Sequence, residues 1–167
     1  MCGIVGIYLK TKKFEKNLGK MLSGMLNNME SRGPDSAGFA VYKNEKKDIF
    51  KYSLCINDLN FKKFKKEISN KIKKIQLSQH ADHVILKTLI EPKTVIKIIN
   101  TSFPKVSIVG YGHSIEIFKQ VGNPKNVVKK FKLESFSGTH GIGHTRMATE
   151  SAITTDGSHP YSTGKDE

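Results

Sequence analysis

This sequence predicts a mixed α+β fold, on three observations. Short runs rich in β-branched and aromatic residues read as strands. Two longer segments repeat apolar residues every three or four positions, as a helix with one buried face does. Clusters of glycine, proline and small polar residues separate these segments.

Residues 3–9, with Ile4, Val5, Ile7 and Tyr8, read as the first strand. Residues 15–30 read as an amphipathic helix, with Leu18, Met21, Leu22, Met25, Leu26 and Met29 on one face. The run from Ser31 to Gly38 cannot extend that helix, and Phe39 to Tyr42 form the strand that follows. A turn over 44–48 leads into a strand at 49–54. A second helix covers 58–76, with Phe61, Phe64, Ile68, Ile72 and Ile75 on its apolar face. Residues 83–90 read as a strand, a short helix follows Pro92, and 106–111 read as another strand. Helices are expected near 114–121 and 124–131. The middle of the chain, 58–132, thus reads as an inserted α/β subdomain within one domain over 1–167. The stretch 138–150 reads as a glycine-punctuated strand ending in polar residues.

A length of 167 residues suits one domain and buries a sizeable core. No apolar run is long enough for a transmembrane helix, and the N-terminus lacks the pattern of a secretory signal. Cys2 and Cys55 make no disulfide framework. Together these point to a reducing, cytoplasmic setting. The net charge of +13 invites a nucleic-acid reading. Against it, only Arg32 and Arg146 among the 28 basic residues are arginine, the residue that reads base edges. The lysines are scattered, as on solvated faces.

The same scarcity makes the two arginines informative. Each sits in a glycine-containing polar motif, where a planar guanidinium fork does what lysine cannot. Arg32 and Asp35 either pair locally in a helix-to-strand turn or form a polar shelf beneath the N-terminus, and the two readings are compatible. Gly141 and Gly143 allow close strand packing. Arg146, at a strand end, is suited to fork onto a carboxylate, with Thr149 and His159 lining the same cleft. His80 and His83 have a metal-compatible spacing, but no second ligand pair accompanies them, which favours a structural role. Gly110-Tyr111-Gly112 is a weak phosphate-loop candidate.

Cys2 carries the most chemistry. Once Met1 is removed, its thiol and a free α-amine share one residue. Both group types titrate close to neutral pH, so nucleophile and base need no histidine partner. Gly3 and Gly6 leave room for close approach. The plainer reading is a small buried hydrophobe on a strand.

Three separated motifs then agree: Cys2-Gly3-Ile4-Val5-Gly6, Arg32-Gly33-Pro34-Asp35-Ser36-Ala37-Gly38, and Gly143-His144-Thr145-Arg146-Met147-Ala148-Thr149. In this order they resemble the class II glutamine amidotransferase domain, an N-terminal-nucleophile hydrolase. The wording from Thr145 to Ala152 is most similar to the glutamate-synthase-like branch, which includes the small subunit of methylamine–glutamate N-methyltransferase (N-methylglutamate synthase).

The resemblance implies a four-layer αββα sandwich and hydrolysis of the glutamine side-chain amide by Cys2. It implies that Arg146 holds the substrate α-carboxylate, that Thr149 helps fix it, and that His159 is a pocket or structural residue. Gly3, Arg32, Asp35, Gly143 and His144 would support the site. No metal or cofactor is implied. The implied partners are L-glutamine and the synthase subunits of a glutamate-synthase-like complex that receive the ammonia, with no specific nucleic acid and no membrane.

Two departures stand out. Met147 replaces the aromatic residue of many relatives. The family's Asn-Gly oxyanion pair and a later acidic residue fall beyond Glu167, so the expectation is a C-terminally truncated domain with little glutaminase activity of its own. The competing readings are a non-catalytic regulatory or assembly subunit of the same fold, and a basic nucleic-acid-binding module.

Overall fold

A computed structural model describes residues 2–43, 48–148 and 152–166. In chain order the elements are β1 (Gly3–Tyr8), α1 (Leu18–Asn27), β2 (Ser36–Tyr42), β3 (Phe50–Cys55), α2 (Phe61–Lys71), β4 (Gln76–His80), β5 (His83–Thr88), α3 (Pro92–Ser102), β6 (Ser107–Gly112), β7 (Ile115–Val121), α4 (Pro124–Phe131) and β8 (His140–Arg146). The fold is α+β, with two antiparallel sheets and four helices among the described residues. No helix among them is long and apolar enough to cross a membrane. The chain divides into two compact units, one over 1–44 and 117–161, the other over 45–116 and 162–167.

In the first unit the sheet order is β1-β8-β2-β7. Strand β8 is central and pairs antiparallel with β1 and with β2. Helix α1 buries Leu18, Leu22 and Leu26 completely. Their spacing of four makes one narrow stripe, each side chain contributing about 2 kcal/mol of burial. The stripe reaches the sheet because β8 offers glycine. A Cβ on Gly143 would sit 3.0 Å from Leu26 Cδ1 and 2.9 Å from Val5 Cγ2, and one on Gly141 would sit 3.0 Å from Leu22 Cδ2. At the crossing with the turn Leu133–Ser135, Gly19 has no room for a side chain against the Leu133 and Phe136 carbonyl oxygens. Helix α4 starts on Pro124 and is capped by Asn123, which accepts from Asn126 N at 2.9 Å. Its Phe131 joins Phe39, Phe118 and Phe136 in an aromatic cluster with ring centroids 5.0–6.0 Å apart.

In the second unit the order is β4-β5-β3-β6, antiparallel throughout, with a register shift at Ser53/Leu54. Phe64 and Ile68 of α2 pack with Val95 and Ile99 of α3 on Tyr52, Leu54, Val84 and Leu86 of the sheet. Asn60 caps α2 by accepting from Lys63 N at 3.1 Å.

Several elements differ from the sequence expectation. The segment 114–121, read as a helix, is strand β7. Ile115, Glu116, Ile117, Phe118 and Lys119 are all buried, so no amphipathic face exists. The helix read over 15–30 is shorter: Lys12–Asn17 is a 3-10 turn, and Met21 of the expected apolar face is exposed. The helix read to residue 76 ends at Lys71. An unexpected strand, β4, then forms a hairpin with β5 around Ala81, whose φ is +53°. Gly110 to Gly112 lie inside β6 and form no phosphate loop. The turn expected over 44–48 lies mostly outside the described residues.

Candidate active site

The candidate residues meet in the first unit, at the start of β1 and the end of β8. Cys2 is an exposed free thiol immediately before β1. The register pairs Gly3 with Thr145. Cys2 immediately precedes Gly3, and Arg146 immediately follows Thr145 on β8. Gly3 is close-packed: a Cβ there would lie 2.9 Å from Thr145 Oγ1 and 3.2 Å from the Cβ atoms of Met29 and Arg32.

Asp35 ties the segment before β2 to the end of β8. Its N–H donates to the Arg146 carbonyl at 3.1 Å, and its carboxylate accepts from Ala148 N at 2.8 Å. Gly33 passes so close to the Thr145–Arg146 backbone that a Cβ would meet Arg146 N and both adjoining carbonyl carbons within 2.7 Å. Arg32 lies in the 3-10 turn Glu30–Arg32 with an exposed side chain, and among the described residues no ion pair joins it to Asp35. The Arg146 guanidinium is half-buried and donates from Nη1 to the Gly157 carbonyl at 3.0 Å. Thr149 lies outside the described residues.

His144 and His159 stack on one another with ring centroids 4.3 Å apart. Burial, then the neighbouring His159, pushes the His144 pKa down to about 4. Burial, then Arg146 and Lys119, lowers that of His159. Both rings are neutral at physiological pH, and a ring that holds a proton so weakly is a poor general base there. The loop carrying His159 is held from below by Lys119, whose Nζ donates to the Asp156 and Ser158 carbonyls at 3.0 Å and lies 4.7 Å from the Tyr161 ring centroid. Gly38, paired with His144, leaves the space that the His159 carbonyl oxygen occupies.

No family model matches the chain. Glutamine amidotransferase-like protein GlxB of Rhizobium meliloti is 41% identical over 173 positions, taking in 100% of this chain and 56% of that protein. A putative glutamine amidotransferase of Methanothermobacter thermautotrophicus is 31% identical over 175 positions, 96% of this chain and 56% of that protein. These relatives support a glutamine amidotransferase family for this chain. A shorter match, 40% over 52 residues, is to glutamine–fructose-6-phosphate aminotransferase of Bradyrhizobium diazoefficiens, covering 31% of this chain and 9% of that protein. The chain spans about half the length of the first two relatives.

Sequence reasoning missed Lys119 and the Gly157 carbonyl. Of this loop the sequence singled out only His159. Lys119 had no signal, being one lysine among many in a segment read as a helix.

Proposed function

We propose that this chain carries a class II glutamine amidotransferase domain, in which Cys2 is the N-terminal nucleophile. The observation that carries this reading is the exposed thiol at the head of β1, just before Gly3, whose partner Thr145 precedes Arg146 at the end of β8. The similarity of this chain to a glutamine amidotransferase-like protein and a putative glutamine amidotransferase, along about half their length, supports it. The two antiparallel sheets and four helices are compatible with the αββα sandwich of N-terminal-nucleophile hydrolases.

In the proposed reaction the Cys2 thiol gives its proton to its own α-amine and attacks the carboxamide carbon of glutamine. The tetrahedral adduct breaks its C–N bond, the α-amine returns the proton, and ammonia leaves. Water then adds to the γ-glutamyl thioester, the C–S bond breaks, and glutamate departs with the thiol restored. Arg146 holds the substrate α-carboxylate with its fork, assisted by Thr149. The Gly157 carbonyl, by accepting from Nη1, fixes the plane of that fork. His159 lines the pocket wall on the stacked ring of His144. Asp35, Arg32, Gly3 and Gly143 keep the two strand ends in place. The ammonia passes to a glutamate-synthase-like or N-methylglutamate synthase partner.

The test is intact mass and peptide mapping after incubation with a glutamine-analogue diazo-ketone, on the protein as its gene encodes it. One adduct on Cys2, with Met1 absent and competition by glutamine, is expected. A Cys2→Ala protein that retains glutaminase activity would overturn the assignment. Absence of any adduct on folded protein would favour a non-catalytic relative.

A further inference from the structure

We propose that Cys55, Asp82 and His83, with Asn57 beside them, form a site for a borderline divalent transition metal, zinc above all, at one end of the second unit's sheet. This site is independent of the glutaminase reading.

The backbone brings these residues together. Cys55 is the last residue of β3 and His83 the first of β5, and the register pairs them directly. Asp82 precedes His83 in the hairpin turn, and its Oδ1 lies 2.9 Å from His83 Nδ1. One donor atom from each of Cys55, Asp82 and His83 falls within 4.8 Å of the other two. Asn57 supplies a fourth. It adopts a left-handed φ of +48°, and its Nδ2 donates to the Lys105 carbonyl at 3.0 Å. That bond turns Oδ1 towards the Cys55 sulfur, 3.3 Å away.

The donor set selects the metal. Sulfur with imidazole and carboxylate suits zinc and disfavours magnesium and calcium, which prefer oxygen alone. Zinc bond lengths of roughly 2.0–2.3 Å put tetrahedral ligands roughly 3.3–3.8 Å apart. Donors within 4.8 Å reach that spacing by small side-chain rotations. Binding releases the Cys55 thiol proton, so Zn²⁺ joins one thiolate and one carboxylate and the site carries no net charge. Neutrality suits a place where Cys55 and His83 are fully buried. Asn57 and Ser107, the latter paired with Cys55 across β3 and β6, line a cavity of about 300 Å³.

The experiment uses the reduced, metal-stripped full chain titrated with cobalt(II) and then displaced by zinc. Expected are one equivalent bound, a sulfur-to-cobalt charge-transfer band with tetrahedral d–d bands, and a rise in Tm with zinc. Cys55→Ser should abolish the charge-transfer band, and Asp82→Asn should weaken binding by roughly tenfold or more. Cys2→Ser should change neither. Bands that survive Cys55→Ser and vanish in Cys2→Ser would locate the metal at the N-terminal cysteine and overturn the proposal. So would the absence of bands in excess cobalt. Asp82 is partly exposed and its replacement leaves the core intact, so wild-type affinity in Asp82→Asn overturns the proposal even if Cys55→Ser does not fold.

Discussion

The imidazoles of His144 and His159 stack with their planes 26° apart, fastening the loop after β8 back onto the strand it left. The contact is between neutral rings, and protonating His159 brings a cation beside Arg146 and Lys119.

This gives a pH dependence of defined sign. The folded pKa of His144 is about 4, against 6.5 for the free side chain. Between those values the unfolded chain binds more protons, so stability rises with pH. The contribution is complete above pH 6.5 and is lost as pH falls towards 4. Urea unfolding across this window should show a steeper fall in stability for the wild-type chain than for His144→Gln. Equal slopes would show that the stack does not exclude the proton.

Arg146→Lys tests the guanidinium fork. Lysine keeps the charge and loses the bidentate geometry. On the proposed function, KM for glutamine should rise by roughly tenfold or more while kcat changes less. An unchanged KM would remove Arg146 from substrate binding.

Gly38→Ala should destabilise the first unit by about 1–3 kcal/mol. The new methyl would meet the His159 carbonyl oxygen, with Lys119 Cβ at 2.6 Å and the Phe118 carbonyl oxygen at 2.8 Å. Two of these are backbone atoms of different segments, so relief requires the His159 loop to move. Chemical denaturation measures the loss, and an imidazole NMR shift of His144 reports the displaced ring.

Lys51 and Glu116 meet at 3.1 Å with almost no exposure to solvent, and Lys51 also donates to the Ser114 carbonyl. Glu116→Ala should cost about 3–5 kcal/mol, because it strands a buried ammonium. Lys51→Met with Glu116→Leu should cost much less than the single change. A double-mutant cycle in urea reads the difference, and a single-variant loss below about 1 kcal/mol would contradict the buried pairing.

The Asp166 carboxylate accepts from the N–H groups of His113, Ser114 and Ile115 at 2.6–2.9 Å. Burial pushes its pKa up, but these bonds and the Ser114 hydroxyl outweigh that and hold it below the usual value. No local pattern announces this arrangement, since the partners are more than fifty residues apart.

Much of the frame was legible locally. Leu18, Leu22 and Leu26 lie within the apolar face read for α1, whereas Gly141 and Gly143, read as allowing close strand packing, make room for Leu22 and Leu26 of that helix. The Asn60 and Asn123 caps were not read from the sequence, which began the second helix at residue 58. Cys2, Arg146 and the glycine-rich segment between Arg32 and Gly38 are recognisable by residue type alone. The periodicity of apolar residues and the chemistry of single side chains are properties of short stretches, and the sequence by itself determined them.

Tertiary structure alone decided β7 and everything that depends on it. Buried charges such as Glu116 and Lys119 are tolerated only when distant groups compensate their lost hydration. Those groups are Lys51, 65 residues away, and the carbonyls of Asp156 and Ser158, 37 and 39 residues away. The convergence of Cys55, Asn57 and His83, and the stacking of His144 on His159, have the same origin. Strand pairing and loop return bring the partners together, and neither leaves a trace in the spacing of nearby residues.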